Sequence, residues 1–430
     1  MRSGQRGLLI MMVVLAVVAI GGCRTSDGLR RDYLRSVARI TPAPTRPVII
    51  IPGFGVSRLR DPELDRWVWG TPRATVITSY DDDLDLPVDE GGTIGSDRLE
   101  PSGFVGSRGP VNTAWQLAIA LEKFGGYRVA RWHEEDGDDL PTAYLFEHDW
   151  RRSGLETAGR LAELIETIRE DHGDPDLRID LLTHSAGANV ALAYLQSYQN
   201  APVDRLVMIA PPRRGTIEAF RLLTEGEKVI RRRLDPAMAS TWPSVFEVLP
   251  PQTTLLDSDG SRRTIELGTI DSWRDLGRGI FDPVVREEIV EREGAEGLAL
   301  RERAFEQLLG AGSRFRDLVG RPLPAEVHVT TILGDCVPTV ARVVARPDGS
   351  FVFYPDQLSR DERYLLPDAF GPGDGTVAAS SAEPVEGDLV RLCSGHQGLA
   401  MDPAAHRNML RALLEEHMDE RVTGSESPPR

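Results

Sequence analysis

No stretch of this chain concentrates Lys and Arg. Among its 430 residues, 66 acidic side chains outweigh 50 basic ones, and the formal net charge is −16. Duplex and single-stranded nucleic acids are held by clustered positive charge, so the balance excludes nucleic acid as a partner. The one basic triplet, Arg231-Arg232-Arg233, reads as a solvated helix face. The apolar stretch Leu8 to Ile20 has thirteen residues, short of the roughly 17–25 that a bilayer span needs. Internal repeats and low-complexity tracts are missing. Asp81-Asp82-Asp83 opens an acidic loop, but its spacing matches no calcium-ligand loop and reads as solvated surface. Against these absences stands an ordinary globular composition, 41% hydrophobic and 27% charged, enough for one large core or a core with a substantial insertion.

The first residues read as a targeting segment. Arg2 and Arg6 precede the apolar stretch, and Gly21-Gly22 lead into Cys23. Ile20-Gly21-Gly22-Cys23 resembles the lipobox of bacterial lipoprotein signal peptides. That resemblance implies cleavage after residue 22, a lipid on Cys23, and a membrane reached through that lipid in a bacterial cell envelope. Arg24 follows where an Asp retains Gram-negative lipoproteins at the inner membrane, which favours the periplasmic face of the outer membrane if the cell has one. Residues 23–46, with Pro42, Pro44 and Pro47 closing the segment, suit a tether. Outside the cytoplasm a Cys336–Cys393 disulfide is allowed; two buried free thiols are the other reading.

The folded body is expected to begin at Val48-Ile49-Ile50-Ile51, an unbroken β-branched run stopped by Pro52-Gly53. Such runs suit strands buried on both faces of a parallel sheet. Helical and strand patterns then alternate: a helix over 113–124, a strand at Tyr144-Leu145-Phe146, and an amphipathic helix through Leu161, Leu164, Ile165 and Ile168. A strand at 179–182, a helix at 188–198 and a strand at 206–210 follow. That order predicts an α/β fold, a mostly parallel sheet with helices on both faces. Residues 213–325 break the rhythm with charged, largely helical pattern and read as a cap. The expected division is therefore a sheet domain over 47–212 and 326–418, a cap over 213–325, and a disordered tail over 419–430.

Thr183-His184-Ser185-Ala186-Gly187 lies directly between a strand and a helix. This is a G-x-S-x-G variant in the strand–turn–helix context that aims a serine hydroxyl outward from the sheet, so Ser185 is the candidate nucleophile. Its hydroxyl needs a base. The histidines that follow include His328, His396 and His406. His328 falls within a strand and His406 in the terminal amphipathic stretch, whereas His396 sits in a loop after the strand 389–392. His396 is the candidate base. Two carboxylates suit the acid: Asp374, in a Gly-rich turn, and Asp335, at the end of the strand 327–333. An oxyanion hole needs two amides; Ala186 follows the nucleophile, and Phe54 lies in the loop after the first strand. Trp67 and Trp69 are candidates for a substrate pocket, or else core.

Taken together, several segments resemble the lecithin:cholesterol acyltransferase-like branch of the α/β-hydrolases. These are Pro47 to Leu59 with its Pro52-Gly53-Phe54-Gly55 loop, Asp61-Pro62-Glu63 followed by Trp67-Val68-Trp69-Gly70, Asp149-Trp150-Arg151-Arg152, and Ala210 to Thr216. In that branch the acid rides on a Gly-Asp-Gly-Thr-Val turn, which favours Asp374, and the base lies in a segment like His396 to Met401. His148 stands where the branch has an aromatic residue, and Thr183 and Pro211-Pro212-Arg213-Arg214 also depart from its usual residues. The resemblance implies a capped α/β-hydrolase fold, no metal or organic cofactor, and a lipid or other hydrophobic acyl ester as substrate. Hydrolysis is the expected reaction. Transfer to an alcohol acceptor, and a fold kept only for binding in the envelope, are the alternatives. Nothing in the sequence speaks to oligomeric state.

Overall fold

The computed structural model describes residues 44–71, 84–106, 112–131, 142–229, 232–384 and 386–414. The signal segment, Cys23, most of the tether, Asp81 to Asp83 and the tail lie outside the described residues.

Seven parallel strands form the central sheet: β1 (Val48–Ile51), β2 (Val129–Arg131), β3 (Ala143–Leu145), β4 (Ile179–His184), β5 (Val203–Ile209), β6 (His328–Gly334) and β7 (Asp388–Leu392). Their spatial order is β7-β6-β5-β4-β1-β3-β2. The chain starts at β1, runs to the β2 edge, returns through β3, and then crosses to β4 on the other side of β1. Crevices at such reversals, beyond the carboxyl ends of the strands, are where open α/β sheets place their sites.

Alternate residues of each strand feed opposite layers. Ile49, Ile51, Leu181, Leu206 and Met208 meet helices α1 (Gly154–Asp171) and α2 (Gly187–Ser197). Val48, Ile50, Leu182, Val207 and Ile209 face the helix Thr113–Ala120 and the helix Pro403–Leu414 on the far side. Ile49, Ile50 and Ile51 are fully buried, and each such side chain contributes roughly 1.5–3 kcal/mol relative to exposure. The unbroken apolar run of β1 thus has its cause: both faces are covered. The α/β class expected from the alternation is the class observed.

The cap is larger than its expected bounds. Its core of Phe220, Trp242, Phe246, Trp273 and Phe305 also takes in Val343, Phe351 and Phe353, and, from the other side, Leu59, Trp69, Leu84 and Leu86. Residues within 59–69, 84–99 and 340–370 therefore pack into the layer that the sequence assigned to 213–325 alone. Conversely, the end of the long helix Pro283–Val319, kinked at Gly294, sends Phe315 and Val319 down into the sheet layer. Contiguity along the chain hid both exchanges. Strand pairs inside the cap, Glu227–Val229 with Arg232–Leu234 and Gln252–Asp257 with Arg262–Glu266, also replace expected helix. Arg232 and Arg233 of the basic triplet accordingly lie in a short strand rather than on a helix face, and Arg231 lies outside the described residues.

Candidate active site

Ser185 sits one residue past β4 with φ of 55°, a left-handed conformation that non-glycine residues hold only when their surroundings enforce it. The enforcement is visible. The Ser185 amide donates to Ile209 O at 2.9 Å, and α2 begins at Gly187. A Cβ at Gly187 would lie 2.3 Å from Ile51 O, and one at Gly53 would lie 2.7 Å from Ser185 Cβ and 3.3 Å from its Oγ. Both glycines are needed for the β1 loop to close on the turn. Thr183, two before the serine, is accommodated because it is still a strand residue, buried in the sheet.

His396 Nε2 lies 2.8 Å from Ser185 Oγ, and His396 Nδ1 lies 2.8 Å from Asp374 Oδ2. The carboxylate accepts at Oδ2, so Nδ1 carries the proton and Nε2 is left to accept from the serine hydroxyl. Asp374 is itself fixed: its Oδ1 accepts from the amides of Thr376 at 2.9 Å and Val377 at 2.7 Å. Its carbonyl accepts from the His396 amide at 2.8 Å. Burial pushes the Asp374 carboxyl up, but the His396 contact and the two amides outweigh it and hold the group below the usual aspartate range. Gly334, ending β6, makes room for this turn; a Cβ there would meet Asp374 Cβ at 2.7 Å and Ser394 O at 2.5 Å.

Of the two candidate acids, then, Asp374 meets the imidazole. Asp335 is placed differently, its amide donating to Leu392 O at 3.2 Å. His328 is exposed on β6, and His406 is buried with Nε2 donating to Ala400 O at 2.7 Å. Cys336 and Cys393 form a disulfide. It joins the residues just beyond the paired strand ends Gly334 and Leu392, next to the segments carrying acid and base.

Phe54 and Ala186 flank the serine, and neither amide donates to a backbone acceptor among the described residues. Trp67 and Trp69 do not line the cavity beside them. Trp69 is buried, its Nε1 donating to Gly55 O at 2.8 Å, and Trp67 lies beneath the Arg58 guanidinium at 4.3 Å. Trp69 packs behind that lining, its ring 5.2 Å from that of Trp150. The aromatic walls near the serine are instead Phe54 and Trp150, edge to face with centroids 4.5 Å apart.

One neighbour escaped the sequence reading. His184, directly before the nucleophile, is buried, and its Nε2 donates to the carbonyl of His396 at 3.1 Å. Burial and the adjacent His396 ring push its pKa down to about 3, so it stays neutral and acts as a prop beneath the base. The middle position of a serine motif carries no local signal of such a contact.

Residues 142–256 match the family model of lecithin:cholesterol acyltransferase, a span containing the Asp149 to Arg152 segment, the Ser185 turn and the Ala210 to Thr216 strand end. Over that segment the chain is similar to the lecithin:cholesterol acyltransferase family. Among solved structures, a chain of the Tle4–Tli4 complex superposes with a TM-score of 0.58 at 17% identity, covering 86% of this chain and 98% of that one. This likeness establishes the fold. The mature form of Bacillus licheniformis lipase BlEst2 aligns at a TM-score of 0.39 and 12% identity, over 87% of this chain and 93% of that one. No curated protein matches the sequence. The acid and base of this α/β-hydrolase lie outside the matched span, so their assignment rests on the geometry above.

Proposed function

We propose that this α/β-hydrolase is a serine esterase that cleaves acyl esters of lipids, held to a bacterial envelope membrane by a lipid on Cys23. The observation that carries the reading is the continuous hydrogen-bonded chain from Ser185 Oγ through His396 to Asp374, each link 2.8 Å. In this reading Ser185 Oγ attacks the ester carbonyl carbon as its proton passes to His396 Nε2. Asp374 holds the imidazole in the required tautomer and stabilises the imidazolium. The amides of Phe54 and Ala186 receive the oxyanion. Collapse expels the alcohol, which takes the proton from His396, and leaves an acyl ester on Ser185. Water, deprotonated by the same imidazole, then releases the acid and restores the serine. The matched family model supports a lipid ester as substrate, and the family also admits an alcohol in place of water in the second half.

A fluorophosphonate probe tests the reading. Wild type is expected to label in the membrane fraction. Ser185→Ala is expected to lose the label and roughly 10⁴-fold or more in ester turnover, and Cys23→Ser to label in the soluble fraction instead. Failure of well-folded wild type to label sinks the enzyme reading in favour of a binding lipoprotein. Label that stays with the membrane in Cys23→Ser sinks the anchor alone. Free fatty acid measured against new ester, with and without an added alcohol, separates hydrolysis from transfer.

A further inference from the structure

Beside Ser185, on the flank away from His396, lies a cavity that the relay does not use. Phe54 and Ala186 line its side toward the nucleophile, and His148, Asn189, Ser244 and Glu247 its polar wall. Three of these place a buried polar atom with no hydrogen-bond partner among the described residues: His148 Nδ1, Asn189 Oδ1 and Ser244 Oγ. His148 and Asn189 are only 5% and 4% exposed. A buried polar atom left unmatched is destabilising, and three around one cavity mark a place where a partner belongs.

The chemistry of that partner follows from the atoms. Asn189 Oδ1 is an acceptor. The His148 ring lines the same space and carries a buried Nδ1 without a hydrogen-bond partner among the described residues; burial pushes its pKa down to about 4, so it is a neutral imidazole. Ser244 Oγ both donates and accepts. Glu247 accepts from Ser153 Oγ at 2.6 Å and the Gly154 amide at 2.8 Å. Burial pushes its carboxyl up to about 8 against those contacts and Arg316. Arg152 also lines the space, but its guanidinium is engaged elsewhere: it donates to Gly95 O at 2.9 Å and lies 3.6 and 3.7 Å from Asp97 and Asp149. Asn189 Oδ1 and the neutral His148 ring ask for a donor, and with Arg152 engaged its guanidinium is not free to hold a phosphate or carboxylate. The cavity measures about 20 Å³, the space of a single water or hydroxyl.

We propose that this cavity is a hydroxyl-recognition subsite, which takes one uncharged hydroxyl of the substrate ester beside the His148 ring, its hydrogen donated to Asn189 Oδ1 and its oxygen accepting from Ser244 Oγ. The inference rests on the serine-esterase reading and adds a substrate class to it: esters bearing a free hydroxyl near the scissile bond. That hydroxyl comes either from the alcohol, as in a partly acylated polyol, or from a hydroxylated acyl chain.

Two isosteric pairs distinguish these sources: 2-hydroxyethyl butyrate against propyl butyrate, and ethyl 3-hydroxybutyrate against ethyl 3-methylbutyrate. For one pair the hydroxyl ester is expected to show at least roughly tenfold higher kcat/KM, since a site built for a hydroxyl rejects the analogue without it. The ratio is expected to drop about fivefold or more in Ser244→Ala and in Asn189→Leu. Ratios near one for both pairs, with turnover that still depends on Ser185, overturn the subsite and leave the esterase standing. Absence of Ser185-dependent turnover of every ester overturns the esterase. The subsite is then judged by calorimetry with 2-hydroxyethyl and propyl butyl ethers and with 1-butoxy-2-propanol and its 2-methylpropyl analogue, where equal affinities within each pair refute it. A bound hydroxyl analogue whose hydroxyl lies outside a cavity still filled by water refutes it as well.

Discussion

The two flanks of Ser185 are built on opposite terms. Toward His396, hydrogen bonds run without a gap from the serine oxygen to the amides of Thr376 and Val377. Toward Phe54 and Ala186, buried polar atoms are left unmatched. The completed flank is a device for moving one proton between fixed positions, and it is useful only if nothing in it shifts. The incomplete flank is organised around a group that the protein does not itself supply. One turn of chain thus joins a closed network to an open one.

Perturbing the closed flank is expected to cost the most. Asp374→Asn keeps the shape of the acid but offers His396 the wrong tautomer, so kcat should fall by roughly 10⁴, while circular dichroism and probe-free thermal melting stay close to wild type. A decline under tenfold would mean another carboxylate orients the base. At the junction of the flanks, Gly53→Ala pushes a methyl group to 2.7 Å from Ser185 Cβ. Displacing the nucleophile by a fraction of an ångström to one ångström is expected to lower kcat/KM by about 10². Turnover equal to wild type would show that the loop yields without moving the serine.

The smallest effect is also the one that separates the flanks by sign. Asp374 is held below its usual range, so its share of stability is present above the unfolded-state value and is lost as pH falls through the folded one. Glu247 behaves in reverse. Its pKa rises from 4.5 unfolded to about 8 folded, so the native state binds the extra proton between those values and stability declines as pH climbs through that window. Arg316, Glu156, Arg152 and His148 are the charged or titratable groups around it. Melting temperatures of wild type and Glu247→Gln, measured from pH 5 to 9, should therefore diverge in favour of the variant up to about pH 8 and run parallel above it. A constant gap across the range would mean that Glu247 is ionised in the fold.

Much of this was legible in the residues, and the reason differs by level. β1 announced itself because burial on both faces demands an unbroken apolar run, and the Ser185 turn because strand, turn and helix are contiguous. The pairing of His396 with Asp374 was within reach only through the Gly-Asp-Gly-Thr-Val turn, since the residues alone left Asp335 equally eligible. Trp67 and Trp69 were left open between pocket and core because proximity to the first loop does not say which a ring will join. His148, Asn189, Ser244 and Glu247 gave no warning at all. They arrive from four separate segments, and a cavity assembled from such distant pieces leaves no period or spacing in any one of them. The wider bounds of the cap were hidden for the same reason.

The Cys336–Cys393 bond ties the ends of β6 and β7 where the segments bearing acid and base depart from the sheet. Sulfur–sulfur bonds of this kind are made where thiols are oxidised and are withheld in a reducing cytosol. The clasp closing over the proton relay is therefore fastened by the surroundings: an oxidising space completes it, and a reducing one leaves the two segments untied.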